Sequence, residues 1–182
     1  MSSPPLRRVL LTGGARSGKS TLAERLVGSG PATYVATAPT SVDDDEWRQR
    51  VAAHRARRPD TWETVESDDL PRHIAAAGPH RPVLVDCLTL WLTARMDHHG
   101  VWTDPGAETA VRRDLDDLVD AVARCPGGLV LVTNEVGSGI VPTDPGTRLF
   151  RDLLGVTNSA VADVCDDVYL VVAGRRLTLE RA

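Results

Sequence analysis

The sequence predicts an α/β protein built on a mostly parallel sheet with helices on both faces. Short apolar runs rich in β-branched residues alternate along the chain with longer segments of helical period, which is typical of repeated strand and helix units. Two runs, Val83 to Val85 and Leu129 to Val132, are apolar at every position, as expected of strands buried on both faces. The length of 182 residues suits one compact domain. We therefore expect a single domain over residues 1–182, with a flexible tail at residues 1–6.

The same patterns predict the individual elements. Strands are expected at Arg8–Thr12, Thr33–Ala36, Pro82–Cys87, Gly128–Thr133 and Asp167–Val172. A helix is expected where apolar residues recur at helical spacing, at Val111, Leu115, Leu118, Val119 and Val122. The segment from Asn134 to Gly146 is rich in glycine and proline and directly follows a strand, where open α/β sheets place ligand-binding loops. It is a candidate functional loop.

The composition argues against several classes of function. A net charge of -4 does not favour binding to nucleic acid or to an anionic membrane surface. No apolar run approaches the roughly 20 residues that span a bilayer, and we predict a cytoplasmic protein. The cysteines Cys87, Cys125 and Cys165 are far apart and form no C-x-x-C pair, so reduced thiols are expected. The adjacent His98 and His99 are expected to be solvated in a polar loop rather than to bind a metal.

A phosphate-binding loop is predicted between the first strand and a helix that begins near Ser20. The pattern G-x-x-x-x-G-K-[ST] is matched by Gly13-Gly14-Ala15-Arg16-Ser17-Gly18-Lys19-Ser20. Glycines let backbone N–H groups approach phosphate oxygens, and the helix N-terminus favours their negative charge. Lys19 would reach the β- and γ-phosphates, while the Ser20 hydroxyl would ligate Mg²⁺. The expected fold is therefore of the P-loop NTPase type, with Mg²⁺ as cofactor and a nucleoside triphosphate as substrate.

Asp86 is the predicted metal-binding carboxylate. It follows the apolar run Val83 to Val85, and P-loop enzymes hold Mg²⁺ with an acidic side chain at the end of a neighbouring strand. An aspartate at this position can also be a simple helix cap. Guanine-nucleotide switches need N-K-x-D and D-x-x-G patterns, whereas this chain has Asn134 to Gly137 and Asp86 to Thr89. The sequence thus favours an enzyme over a switch.

A second candidate site lies on a predicted helix from Asp45 to Pro59. Acidic residues begin this segment and basic residues end it, which complements the helix dipole. One face gathers Glu46, Trp47, Arg50 and His54. The helix is either a solvated element with ion pairs along one face, or the carrier of a nucleophilic imidazole close to phosphate-binding arginines. Spacing alone does not decide between them.

The chain resembles the bifunctional adenosylcobinamide kinase and adenosylcobinamide-phosphate guanylyltransferase family from Val9 to Leu179. Four blocks carry the resemblance. They are Leu11 to Ser20; Glu46 to His54 with Arg58, Pro59, Trp62, Thr64 and Glu66; Asp86 to Trp91; and Val132 to Pro142. The first block is common to P-loop proteins, whereas the second and fourth are specific to the family. The chain departs from the common pattern at Ala94 and Ser159.

The resemblance implies two successive transfers to a corrinoid. A phosphoryl group from ATP or GTP goes to the aminopropanol hydroxyl of adenosylcobinamide, and GMP from GTP is then attached to that phosphate. His54 would carry GMP covalently between donor and acceptor. The implied nucleotide site adds Ala36-Thr37-Ala38, Arg55-Ala56-Arg57-Arg58, Glu66 and Asp86 to the phosphate loop. A homotrimer is implied as well. A P-loop small-molecule kinase without a covalent intermediate and a nucleotide-gated binding module are the alternatives.

Overall fold

The computed structural model describes residues 7–37 and 58–181. Its strands are β1 (Arg8–Thr12), β2 (Ala32–Ala36), β3 (Trp62–Glu66), β4 (Val83–Asp86), β5 (Leu129–Val132), β6 (Asp167–Val172) and β7 (Arg175–Thr178). Its helices are α1 (Lys19–Val27), α2 (Leu70–Ala75), α3 (Leu88–His99), α4 (Glu108–Ala123) and α5 (Pro145–Val164), and a short 3-10 helix (Pro105–Ala107) precedes α4.

The strands of the described ranges form one sheet in the order β3-β2-β4-β5-β1-β6-β7. Neighbouring strands are parallel except β6 and β7, which form an antiparallel hairpin. Strand β1 is central, since Leu10 pairs with Leu131 of β5 on one side and with Val168 of β6 on the other. Because the parallel strands share one direction, the ends of β1, β2, β3, β4 and β5 lie along the same edge of the sheet.

The predicted α/β class and all five predicted strands are confirmed. Strands β1 and β6 have the predicted bounds, β2 begins one residue earlier than predicted, and β4 and β5 are each one residue shorter at both ends. The predicted helix is α4, which buries Val111, Leu115, Leu118 and Val122. Strands β3 and β7 were not predicted. Strand β3 has only one buried residue, Trp62, and β7 is exposed at every position, so neither shows the apolar run of a central strand.

Alternate residues of the central strands point into two separate hydrophobic cores. On one face Leu10 and Leu131 pack in a cluster that includes Trp91 of α3, Leu118 of α4 and Leu154 of α5. On the other face the strands contribute a second cluster that includes Ala23 of α1. Members of this cluster are fully or nearly fully buried, among them Leu11, Leu84, Val130 and Val132. Helices therefore cover both faces, as predicted.

The end of the candidate loop and the location of the histidine pair differ from the prediction. The candidate loop ends at Asp144, because Pro145 already belongs to α5 and Asp144 caps that helix by accepting a hydrogen bond from Thr147 N at 2.7 Å. The histidine pair is not in a loop, since it forms the last turn of α3. His99 Nε2 lies 2.8 Å from Asp114 Oδ2, so this imidazole is paired with a carboxylate rather than solvated.

The cysteines are protonated thiols. All three cysteines are free, and burial raises the pKa of Cys87 to about 11 and that of Cys165 to about 12, so the thiol forms predominate. Arg8 at the start of β1 forms a salt bridge with Asp166, which directly precedes β6; Arg8 Nη2 lies 2.8 Å from Asp166 Oδ1.

None of the helices within residues 7–37 and 58–181 is long and apolar enough to cross a bilayer.

Candidate nucleotide-binding site

The segment between β1 and α1 has the backbone of a phosphate-binding loop. Gly13 has φ +150 and Gly18 has φ +100, both in the region that favours glycine. A Cβ atom on Gly13 would lie 2.3 Å from the backbone oxygen of Val171 in β6. Glycine is therefore required at position 13 by close packing against the sheet, and Gly18 in the left-handed conformation directs the chain into α1.

Lys19 is the first residue of α1 and its ammonium group lies over the loop. The side chain is only 6% exposed, and Nζ donates hydrogen bonds to Gly13 O at 2.9 Å and to Gly14 O at 2.7 Å. Burial lowers the pKa of Lys19, and the nearby carboxylate of Asp86 acts in the opposite direction. Asp86 is therefore close enough to influence Lys19 electrostatically, although the two form no salt bridge.

Two hydroxyl groups at the loop have no hydrogen-bond partner among residues 7–37 and 58–181. Thr12 Oγ1 and Ser17 Oγ are buried, and neither makes a hydrogen bond to a described residue. A buried hydroxyl left without a partner costs about 1–3 kcal/mol, so such groups are normally satisfied by protein, water or ligand. Phosphate oxygens bound at this loop would supply an acceptor for Ser17, which fits the predicted use of the loop.

The loop is supported by two connections from distant parts of the chain. Gly174, in the turn between β6 and β7, donates its N–H to Ser17 O at 2.8 Å. Glu135, three residues after the end of β5, donates its N–H to Gly13 O at 3.0 Å. A Cβ atom on Gly18 would lie 3.2 Å from Gly174 Cα, so this turn packs closely on the loop. The loop conformation therefore depends on residues more than a hundred positions away in sequence.

Asp86 ends β4 at the same edge of the sheet. Its Oδ2 accepts a hydrogen bond from Tyr34 Oη at 3.0 Å, and its Oδ1 accepts none from the described residues. Thr37 joins the ends of β2 and β4, because its hydroxyl donates to Cys87 O at 2.7 Å and accepts from Cys87 N at 2.8 Å. The end of β4 is thus held rigidly, with one carboxylate oxygen already engaged.

The residues present suit Mg²⁺ held jointly with a nucleotide. Ser20 lies in the first turn of α1 and Asp86 ends β4, so one hydroxyl and one carboxylate oxygen are offered. In the described part of the chain no group of three or more His, Cys, Asp or Glu side chains is arranged to bind a metal ion. Mg²⁺ typically takes one or two protein oxygens together with substrate phosphates and water, rather than an all-protein cage.

Tyr34 is a residue of this site that the sequence reasoning missed. Its ring lies under the Arg58 guanidinium, with Arg58 Cζ 3.3 Å from the ring centroid, and stacks with Trp62 at 6.5 Å between centroids. Arg58 is held in turn by a hydrogen bond from Nη1 to Thr64 Oγ1 at 3.0 Å. The sequence does place this tyrosine in a run of strand residues expected to be buried. Because a buried phenol normally has a hydrogen-bond partner, that position could have indicated a polar contact.

The other predicted site residues divide into two groups. Ala36, Thr37 and Glu66 lie at the ends of β2 and β3, and Ser67 N donates to Ala36 O at 3.1 Å. Together with Asp86 they share one edge with the phosphate loop, as expected for a nucleotide site. The remaining predicted residues lie outside the described ranges. They are Ala38, His54, Arg55, Ala56 and Arg57.

The loop after β5 also belongs to this edge. Asn134 N donates to Thr89 Oγ1 at 2.9 Å, and Asn158 Nδ2 donates to Asn134 O at 3.0 Å. Further along, Arg148 and Arg151 of α5 donate to loop carbonyls. Ile140, in the middle of this loop, is 97% exposed. The loop is therefore anchored at both ends, as expected of a binding element rather than a random connection.

Comparison with known proteins gives the same family along nearly the whole chain. Residues 9–179 match the family described as cobinamide kinase / cobinamide phosphate guanyltransferase. The bifunctional adenosylcobalamin biosynthesis protein CobU of Escherichia coli (strain K12) is 41% identical over 177 residues, which cover 91% of this chain and 96% of that protein. The bifunctional adenosylcobalamin biosynthesis protein CobP of Pseudomonas aeruginosa is 42% identical over 180 residues, covering 95% and 97%.

Comparison with solved structures concerns the fold alone. The structure of a prototypical ATPase from the type III secretion system of pathogenic bacteria superposes with a TM-score of 0.58. The match covers 94% of this chain and 56% of that chain, at 14% sequence identity. It supports an α/β fold of the P-loop NTPase type, in agreement with the loop geometry.

Proposed function

The chain belongs to the cobinamide kinase / cobinamide phosphate guanyltransferase family, and from this premise we propose that it catalyses both transfers on a corrinoid acceptor. The first product would be adenosylcobinamide phosphate and the second adenosylcobinamide-GDP. The family identity supports the two activities, and the arrangement at the edge of the sheet supports the use of a nucleoside triphosphate. The observation that carries the proposal is the phosphate loop with Lys19 and Asp86 beside it.

In the first transfer the acceptor hydroxyl oxygen attacks the γ-phosphorus of ATP or GTP. The bond from the γ-phosphorus to the bridging oxygen breaks, the nucleoside diphosphate leaves, and the hydroxyl proton is released. Lys19 would exchange the carbonyls of Gly13 and Gly14 for phosphate oxygens, and the loop N–H groups would stabilise the developing charge. Mg²⁺ bound by Ser20 and Asp86 would neutralise charge on the β- and γ-phosphate oxygens.

In the second transfer we propose that His54 is the nucleophile. An imidazole nitrogen attacks the α-phosphorus of GTP, a P–N bond forms, and pyrophosphate leaves. An oxygen of the corrinoid phosphate then attacks the same phosphorus, the P–N bond breaks, and GMP becomes linked through a new pyrophosphate bond. The arginines Arg55, Arg57 and Arg58 suit the phosphates of both steps, because guanidinium groups bind phosphate oxygens through paired hydrogen bonds.

Labelled GTP tests this proposal and separates the two activities. With α-labelled GTP the wild-type protein should retain label that survives alkali and is lost in acid, as expected of a phosphoramidate. The His54→Ala variant should retain none, while His73→Ala and His80→Ala provide matched controls that keep it. With γ-labelled GTP and adenosylcobinamide, label should appear on the corrinoid. Label that persists on the His54→Ala protein would refute the assignment of the nucleophile.

A kinase without a covalent intermediate is the alternative function. It predicts γ-label on the acceptor but no α-label on the protein, so the same experiment distinguishes it. Slow release of free phosphate with neither transfer would instead indicate a nucleotide-gated binding module. The predicted homotrimer and cytoplasmic location are further proposals, and light scattering after size exclusion measures the first of them.

A further inference from the structure

We propose that Tyr34 is a positioning residue for the Mg²⁺ site, acting by holding one oxygen of Asp86 while the other remains for the metal. The inference rests on the proposed function, because it assigns a role to the neighbour of a proposed metal ligand. The contact that carries it is the hydrogen bond from Tyr34 Oη to Asp86 Oδ2 at 3.0 Å.

The sheet register makes this contact possible. Tyr34 pairs with Leu84 and Ala36 pairs with Asp86 in the parallel strands β2 and β4. Residues two apart on a strand share a face, so the phenol of Tyr34 extends along that face to the carboxylate that ends the neighbouring strand. Tyr34 is only 4% exposed, and its hydroxyl therefore depends on a protein acceptor.

The tyrosine ring is itself fixed from two directions. Arg58 Cζ lies 3.3 Å from the ring centroid on one side, and Trp62 stacks on the ring at 6.5 Å. A donor with so little freedom defines the orientation of the carboxylate that it binds.

Groups that orient a metal ligand commonly change metal affinity or activity by about 10- to 100-fold when they are removed. Tyr34→Phe removes only the hydroxyl and keeps both ring contacts. We expect it to lower the enhancement of nucleotide binding by Mg²⁺ about 10-fold. Binding of the same nucleotide in EDTA should change less than about twofold, because the phosphate loop itself is unaltered.

The test is calorimetry with a non-hydrolysable GTP analogue, in Mg²⁺ and in EDTA, for wild type and variants. Tyr169→Phe is the matched control, since Tyr169 is the other tyrosine of the chain and also has a stacked guanidinium, with Arg176 Cζ 4.9 Å from its ring centroid. It should leave the ratio of the two affinities unchanged. In an Asp86→Asn background, Tyr34→Phe should produce no further change in that ratio.

The possible results separate this inference from the proposed function. An unchanged ratio in Tyr34→Phe overturns the positioning role, as does an equal loss of affinity in Mg²⁺ and EDTA, which would indicate a structural role only. A further loss in the Asp86→Asn background also contradicts it. A wild-type protein without any Mg²⁺ enhancement overturns the proposed function together with the inference.

Discussion

Lys19→Met is the most direct perturbation of the proposed nucleotide site. Lys19 is the only lysine of the chain, and methionine keeps the length of the side chain while removing its charge. In the structure Nζ makes two hydrogen bonds to loop carbonyls, which phosphate oxygens would replace on binding. Hydrogen bonds to charged groups contribute about 1.5–3 kcal/mol, and tenfold in affinity corresponds to about 1.4 kcal/mol. The affinity for GTP should therefore fall about 10- to 100-fold.

The stability of the fold should respond far less to this substitution. Methionine loses the two hydrogen bonds to loop carbonyls, which destabilises the fold. It also avoids the cost of burying a charged ammonium group, the same cost that lowers the pKa of Lys19, and this stabilises the fold. We expect the free energy of unfolding to change by no more than about 1 kcal/mol.

Calorimetry with GTP and Mg²⁺ measures the affinity, and urea unfolding measures the stability. Arg25→Met is the matched control, because Arg25 is an exposed cation in the last turn of the same helix. Bound GTP should also protect the single ε-amine from an amine-reactive reagent. An unchanged affinity in Lys19→Met, or an equal loss in Arg25→Met, would refute the reasoning.

Two further predictions concern stability. Gly13→Ala should lower the free energy of unfolding, measured in urea, by about 2 kcal/mol or more, because its Cβ would lie 2.3 Å from the backbone oxygen of Val171. Gly14→Ala is the control and should lower it much less, because its Cβ would meet nothing within 4 Å. Asp166→Asn should cost about 1–2 kcal/mol at neutral pH, since the hydrogen bond from Arg8 lowers the pKa of Asp166 to about 2. The pKa of Asp166 is depressed in the folded state. The difference in free energy of unfolding between Asp166→Asn and wild type should therefore be largest above about pH 4 and should decrease as the pH falls towards 2.

The parts of the fold that could be predicted are those whose physical cause is local. Strand β5 is apolar at all four positions, which only a strand covered on both faces requires. The phosphate loop is recognisable because Gly13 (φ +150), Gly18 (φ +100) and Lys19 all fall within one short segment, although distant residues hold the loop in place. In both cases a short stretch of sequence carries the full signal.

The parts that could not be predicted depend on distant contacts. Strand β3 exists because it pairs with β2, where Trp62 aligns with Ala32, and its own residues are mostly half-buried or exposed. The hydrogen bond between Tyr34 and Asp86 joins residues 52 positions apart, so no local pattern indicates it. The role of His54 also remains a prediction, since that residue lies outside the described ranges.

The central position of β1 has a consequence for the order in which the protein is made. Strand β1 is synthesised well before β5 and β6, its two neighbours in the sheet, and Arg8 N binds Asp166 Oδ2 across 158 positions. The phosphate loop likewise needs Gly174 N to hold Ser17 O. Contacts of such long sequence separation form slowly, because a large loop must close first. A nascent chain therefore carries the phosphate-loop motif long before the contacts that hold the loop can form, and we expect a nucleotide to stabilise only the completed protein against unfolding.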